Sequence, residues 1–189
     1  MFMPNELLNG LIEYQRLQKA EKPFDAAYFC QTRDEFQARL DLFYDLTKDP
    51  VLVAVCGEIG NNSFDHNLGG WIDIPGMHFI GHDLLNGQVI IADRGQGIRN
   101  SLIRVVPDLK DDLSAVQTAF SKVVSGRSPE QRGNGLKFVA KAIKDKSWSL
   151  YFQSGNAAVK IDRDNKKYVN TEDIIVGCVA VVDYSLKGR

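Results

Sequence analysis

The sequence has few cysteines and histidines, no long hydrophobic run and no excess of either charge. Its three cysteines, Cys30, Cys56 and Cys178, are widely spaced and form no Cys-x-x-Cys pattern, so we expect buried free thiols and no zinc site. The apolar runs are too short to span a bilayer. Its 23 basic and 24 acidic residues give a net charge of −1, which provides no general attraction to nucleic acid or anionic membranes. We therefore expect a cytoplasmic protein with no membrane segment and no nucleic-acid partner.

The order of the predicted elements indicates an α/β protein. Apolar residues at helical spacing over 5–17 and 34–49 predict two N-terminal helices. Thr32 or Asp34 is expected to cap the second helix. Pro50 suits the first turn of a third helix. Strand-like stretches precede a second helical block at positions 69–74, 77–82 and 87–93, and three more follow it at 148–153, 156–162 and 173–186. We predict a two-layer α/β sandwich with a mixed sheet. Residues 1–48 are expected to form an N-terminal helical extension, and residues 49–189 the main domain.

The third helix carries a polar stripe that its apolar beginning does not explain. At 100° per residue, four polar residues fall within about 100° of one another on a helical wheel: Glu58, Asn62, Asp65 and His66. One interpretation is an amphipathic helix with a solvated face. The other is that the stripe faces something polar inside the fold. Gly57 and Gly60 favour the second interpretation, because glycine in a helix interior indicates a close approach of backbone or ligand.

Two further stretches have the composition of ligand-binding turns. In IIADRGQGI, a strand ends at Asp93 and enters a turn that contains Gly95 and Gly97. A carboxylate there can accept a hydrogen bond from an exocyclic amine, and the glycines let a planar ring approach the backbone. In RGNGLKFV, Gly133 and Gly135 flank the start of a helix, whose free N–H groups and dipole suit phosphate oxygens. Each motif alone is also typical of an ordinary turn.

Taken together and in this order, the three motifs resemble those of the GHKL superfamily. That superfamily includes DNA gyrase B subunits, MutL, heat-shock chaperone ATPases, histidine kinases and anti-sigma serine kinases. Its pattern E-x-x-x-N lies on a helix, D-x-G-x-G follows a strand and G-x-G opens a later helix. This chain has Glu58 with Asn62, Asp93 with Gly95 and Gly97, and Gly133 with Gly135. The resemblance covers about residues 50–185 and implies the Bergerat fold, a histidine-kinase-like ATPase fold that binds ATP.

The resemblance also implies a role for each motif residue. Asp93 would accept the adenine amino group, and Asn62 would hold Mg²⁺ through its side-chain oxygen. Glu58 would orient or deprotonate the attacking nucleophile. The glycine-rich helix start would receive the phosphates, and Arg132 or Arg127 from the preceding segment would reach the γ-phosphate. The alternative for Glu58 is a cap or a salt-bridge partner.

The chain departs from each branch of the superfamily in some respect. Asp65, three residues after Asn62, is similar to the gyrase and chaperone branch, whereas His66 is similar to the anti-sigma kinases and some histidine kinases. Lys137 stands where many kinases have a third glycine. The histidines His66, His78 and His82 lack the context of a phosphoacceptor, which makes a self-contained histidine kinase improbable.

Three functions therefore stay open. The first is an Mg-ATP-binding signalling switch that phosphorylates a regulatory protein partner, as anti-sigma kinases do. The second is an ATP-gated hydrolase of the gyrase and chaperone type. The third is a nucleotide-dependent interaction module without catalysis, in which residues 1–48 contact a partner or a second copy of the chain. They differ in product: phosphoprotein, free phosphate, or neither.

Overall fold

A computed structural model describes residues 5–81, 87–121 and 134–185. The N-terminal half contains α1 (Asn5–Arg16), a 3₁₀ turn at Ala26–Tyr28, β1 (Phe29–Cys30), α2 (Arg33–Thr47) and α3 (Pro50–His66). β2 (Met77–Ile80) and β3 (Gln88–Asp93) come next, followed by α4 (Gly97–Leu102), α5 (Asp112–Ser121) and α6 (Gly135–Asp145). The last two described elements are the long strands β4 (Ser149–Ile161) and β5 (Lys166–Asp183). None of the described helices is long and apolar enough to cross a membrane.

The helix starts follow from local capping chemistry. Thr32, and not Asp34, caps α2 and forms a reciprocal capping box with Glu35. Asp49 caps α3 by accepting hydrogen bonds from the N–H groups of Val51 and Leu52, and Pro50 occupies the first turn, where its missing N–H costs nothing. The sequence signals that predicted these starts are thus confirmed.

The sheet has the strand order β1-β2-β3-β5-β4. The two-layer α/β sandwich is confirmed, but all four pairings of the described strands are antiparallel, whereas a mixed sheet was predicted. The helices between β3 and β4 do bring β4 back parallel to β3. However, β5 returns from β4 as a hairpin and lies between them, so the two parallel strands never pair. The strand predicted at 69–74 is also wrong, since that segment forms turns and bends.

The two faces of the sheet are covered differently. On one face, α2, α3, α5 and α6 bury the larger core, which includes Phe36, Phe79 and Trp148. On the other face, Leu8, Leu11 and other residues of α1 pack against β3 and β5. The predicted N-terminal helices thus lie on opposite faces of the sheet. The domain boundary at residue 48 stays a prediction.

Gly60 has a packing role in the contact between α2 and α3. A Cβ atom at this position would lie 2.2 Å from the Phe36 ring, so only glycine lets α2 and α3 approach this closely. At Gly57, a Cβ would meet only Leu40, at an ordinary distance of 3.7 Å. The predicted close approach is therefore found at Gly60, where a side chain of α2 makes it, and not at Gly57.

His78 makes the stability of the fold depend on pH. Its ring lies in the sheet among Tyr14, Phe24 and Phe29, and burial, opposed by Asp25, lowers its pKa to about 4. Because an unfolded histidine titrates near 6.5, its contribution to stability is complete above that pH and is lost as the pH falls toward 4. The full loss would be about 3 kcal/mol.

We expect His78→Phe to flatten this dependence, because the variant has no imidazole to protonate. The measurement is the free energy of unfolding in urea at pH 7 and at pH 4.5, for the wild type and the variant. The wild type should lose the larger amount of stability. Equal losses in both proteins would show that His78 is not the titrating group.

Candidate nucleotide site

The structure brings together the end of α3, the end of β3 and the start of α6. A cavity between them is lined by residues from these elements, from α4 and from β4 and β5: Ile59, Asn62, Ser63, His66, Asn67, Ile91, Asp93, Gly97, Ile98, Ser101, Leu136, Phe152, Cys178 and Ala180. Three of the sequence-predicted residues, Asn62, Asp93 and Gly97, are among them. The cavity measures about 30 Å³, which is room for a water molecule. Binding of a larger ligand therefore requires lining side chains to move.

Asp93 is the central polar group of this cavity. It ends β3, and only 5% of its surface is exposed. The hydroxyl of Ser63 donates to Oδ2 at 2.8 Å, while the Gly95 N–H donates to Oδ1 at 2.8 Å. The side-chain amide of Asn67 donates to Oδ1 at 3.4 Å. Donors from α3 and from the following turn thus hold the carboxylate in one orientation.

The electrostatics of Asp93 reflect two opposing effects. Burial raises its pKa, and the hydrogen bonds from Gly95, Ser63, Asn67 and the backbone of Cys178 lower it, with burial the larger effect. The Asp93 carboxylate is therefore held by four donors of the protein.

The glycines after Asp93 are required by close contacts. At Gly95, a Cβ would lie 1.9 Å from the Asn67 side chain, so the Asn67 amide, and not a ligand ring, occupies that space. Gly97 has a φ of 74° and opens α4, a conformation that glycine adopts without strain. The next N–H, of Ile98, donates to the Ser154 hydroxyl at 3.0 Å. Both glycines therefore shape the turn that fixes Asp93.

Glu58 and Gly135 meet at the start of α6. A Cβ on Gly135 would lie 2.3 Å from Oε2 of Glu58, so the exposed carboxylate lies at the N-terminus of that helix. Asn134, the N-cap residue, makes no side-chain cap hydrogen bond. A negative charge is favourable at this position because the helix dipole and the free N–H groups face it. The roles predicted for Glu58, as a base or as a capping residue, stay predictions.

Asn62 lies one turn beyond Glu58 on α3 and lines the cavity. Its amide oxygen and the Glu58 carboxylate are the hard oxygen donors that Mg²⁺ prefers. Within the described ranges, no group of three His, Cys, Asp or Glu side chains forms a protein-only metal site. The donor set therefore fits Mg²⁺ only as an ion that keeps water ligands and shares a bound phosphate.

Other predicted residues are not part of the cavity or fall outside the description. Asp65 forms a salt bridge with Arg33 of α2, so it braces two helices. Arg127, Arg132 and Gly133 lie outside the described residues, and their predicted roles stay predictions.

Sequence reasoning missed Ser63 and Asn67, which hold the Asp93 carboxylate. Both follow Asn62, by one and by five residues, and they are four residues apart, so they share one side of the helix end. The signal in the sequence was this spacing of four between Ser63 and Asn67. Asn67 follows the last residue of α3 and also accepts the Gln96 N–H at 2.9 Å.

Comparisons with known proteins gave partial similarities. No family model matches the chain, and no curated protein matches it. Among solved structures, it is similar to the 43K ATPase domain of Thermus thermophilus gyrase B in complex with an aminocoumarin, with 17% identity and a TM-score of 0.37. That match covers 68% of this chain and 32% of the gyrase chain. The N-terminal domain of a DNA repair protein gives 17% identity and a TM-score of 0.35, with coverage of 75% and 37%.

The chain thus spans about a third of the length of either neighbour.

Proposed function

We propose that the chain is a GHKL-type ATP-binding domain that holds Mg-ATP between α3, the end of β3 and the start of α6. The observation that carries this proposal is the Asp93 carboxylate, which is buried at the wall of a cavity and fixed by Ser63, Asn67 and Gly95. A buried carboxylate that is held in one orientation at a cavity wall suits a ligand that brings an amino group.

Adenine fits this end of the site better than guanine. The exocyclic group of adenine is a donor that an ionised carboxylate can accept, while guanine presents a carbonyl oxygen in the corresponding place. Ile59, Ile91 and Phe152 provide apolar walls for a flat ring. The lining therefore combines an apolar slot with one oriented polar group, which is typical of small-ligand sites.

The opposite end of the site suits phosphates. The start of α6 offers backbone N–H groups and the positive end of the helix dipole. Asn62 would hold Mg²⁺ there, and the ion would offset the charge of the Glu58 carboxylate beside the phosphates. Arg132 and Gly133 would complete this end of the site.

We assign proton transfer to Glu58. When bound, Mg-ATP supplies the transferable γ-phosphoryl group. The Glu58 carboxylate would accept the proton of the attacking hydroxyl group or water, while the N-terminus of α6 stabilises the developing negative charge. Catalysis of this kind depends chiefly on positioning and electrostatics.

Among the three candidate functions, we favour a signalling switch that phosphorylates a protein on serine or threonine. His78 cannot serve as a phosphoacceptor, because it is 1% exposed and packed among aromatic rings, where no phosphoryl group can reach it. The proposal includes a regulatory protein partner, contact with a second copy of the chain, and a cytoplasmic setting. The runner-up is an ATP-gated hydrolase, and the third candidate is a binding module without turnover.

The test is incubation with γ-labelled ATP and Mg²⁺, with the label followed into protein and into free phosphate. We expect labelled protein in the presence of the physiological partner. Labelled phosphate alone would indicate the hydrolase. Label that stays on ATP, together with measurable binding, would indicate the interaction module.

A further inference from the structure

Residues 93 and 94 link the two faces of the sheet. Neighbouring residues at a strand end point to opposite faces, and here Asp93 faces the cavity while Arg94 faces α1. Arg94 is 2% exposed, and its Nε donates to Oδ2 of Asp73 at 2.6 Å. The helix α1, on the far side of the sheet, therefore contacts the same turn that carries the proposed adenine-binding carboxylate of Asp93.

Arg94 fixes the end of α1. Its guanidinium donates to the carbonyl oxygens of Tyr14 and Gln15, the latter at 3.1 Å, and lies 5.1 Å from the centre of the Tyr14 ring. Asp73 also accepts the N–H of Ala20 at 3.1 Å, just beyond the helix. The last carbonyl groups of a helix lack partners within the helix, and here a buried ion pair supplies a donor to them.

Gln15 contacts the nucleotide motif itself. Its side chain is fully buried, and its Nε2 donates to the backbone carbonyl of Asp93 and, at 3.3 Å, to that of Cys178. Asp93 and Cys178 are paired across β3 and β5, and the side chains of both line the cavity. One amide from α1 thus holds the backbone of two residues that form the wall of the site.

We propose that Gln15 is a positioning residue for the nucleotide site, and that α1 acts through it as part of that site. This inference rests on the proposed function. Gln15 sets the backbone position of Asp93 from the opposite face of the sheet, and so sets where the carboxylate meets the adenine amino group. By thermodynamic reciprocity, nucleotide that binds to Asp93 must stabilise the docking of α1.

Gln15→Leu tests this proposal directly. The variant keeps a side chain of similar size in a buried place but removes both donors, whereas variants at Arg94 would leave Asp73 buried and unpaired. We expect its Kd for Mg-ATP to rise about fivefold, because the backbone of Asp93 loses one hydrogen-bond donor, while its Kd for Mg-GTP stays unchanged. Calorimetry with both nucleotides gives the two constants. The matched control is Gln18→Leu at an exposed position, which should bind both nucleotides as the wild type does.

A second measurement uses the wild type alone. Saturation with Mg-ATP should slow amide hydrogen exchange in residues 8–16 more than saturation with Mg-GTP does. Failure of the wild type to bind Mg-ATP would overturn both proposals. The proposed role of Gln15 alone would be overturned if Gln15→Leu bound ATP as the wild type does, or if it bound ATP and GTP more weakly by the same factor. Unchanged amide exchange in α1 when Mg-ATP binds would overturn it too.

Discussion

Replacement of Asp93 should abolish the preference of the site for adenine. In Asp93→Ala the amino group of the base loses its acceptor, and we expect affinity for Mg-ATP to fall about 100-fold, as for a hydrogen bond to a charged group. Mg-GTP should bind about as well as Mg-ATP does in the variant. Calorimetry with both nucleotides measures this change.

Asp93→Asn gives a sharper form of the same test. The amide keeps the shape of the carboxylate, and its oxygen can still accept the Gly95 and Asn67 donors. Its nitrogen, however, replaces Oδ2 and presents a donor to the base. We therefore expect the preference to shift toward GTP. The matched control is Asp183→Asn at the other end of the β3–β5 pairing. This variant should leave the ratio of the Kd values for Mg-ATP and Mg-GTP unchanged. Full discrimination between ATP and GTP in Asp93→Ala would show that the adenine pocket is assigned wrongly.

Removal of the Glu58 carboxylate should separate binding from turnover. In Glu58→Ala we expect phosphoryl transfer or hydrolysis to fall by a factor of about 100 to 10,000, the range for loss of a general base. Binding of Mg-ATP should be unchanged or tighter, because an acidic side chain leaves the N-terminus of α6. The γ-label assay gives the rate, and calorimetry gives the affinity.

A suitable control for this variant is Glu172→Ala, which removes an exposed carboxylate on β5. It should keep both the rate and the affinity. If Glu58→Ala keeps its turnover, or loses turnover only in proportion to lost binding, then Glu58 is a partner of the helix terminus and not a base.

Local chemistry was sufficient to predict most of the helices. Capping residues and proline located the starts of α2 and α3, and Asp93 followed by two glycines located the turn after β3. These signals lie within a few residues of the feature that they predict. They do not depend on how distant parts of the chain pack.

The errors came from contacts between distant residues. Residues 69–74 resemble a strand, but they find no partner strand, and Asp73 pairs with Arg94 instead. The break expected near Gly155 is a bulge within one long strand, with a φ of 60° at this glycine. Glycine is favoured both in a turn and in a β-bulge, so composition alone cannot distinguish the two.

The site itself was only partly visible in the sequence. Asp93 could be identified from its own neighbours, but its donors Ser63 and Asn67 depend on how α3 is rotated against β3. The packing of Phe36 against Gly60 helps to set that rotation. The contact between Gln15 and Asp93 joins residues 78 positions apart, and nothing in the periodicity of α1 indicates which face of the sheet it covers.

The most direct test of nucleotide binding is calorimetric titration of the folded protein with Mg-ATP and Mg-ADP, with thermal melting measured in parallel. We expect saturable heat at one site per chain and a higher melting temperature with either ligand, since a ligand that binds only the folded state stabilises it. Absence of both heat and a melting shift at millimolar concentrations would contradict the proposed ATP site.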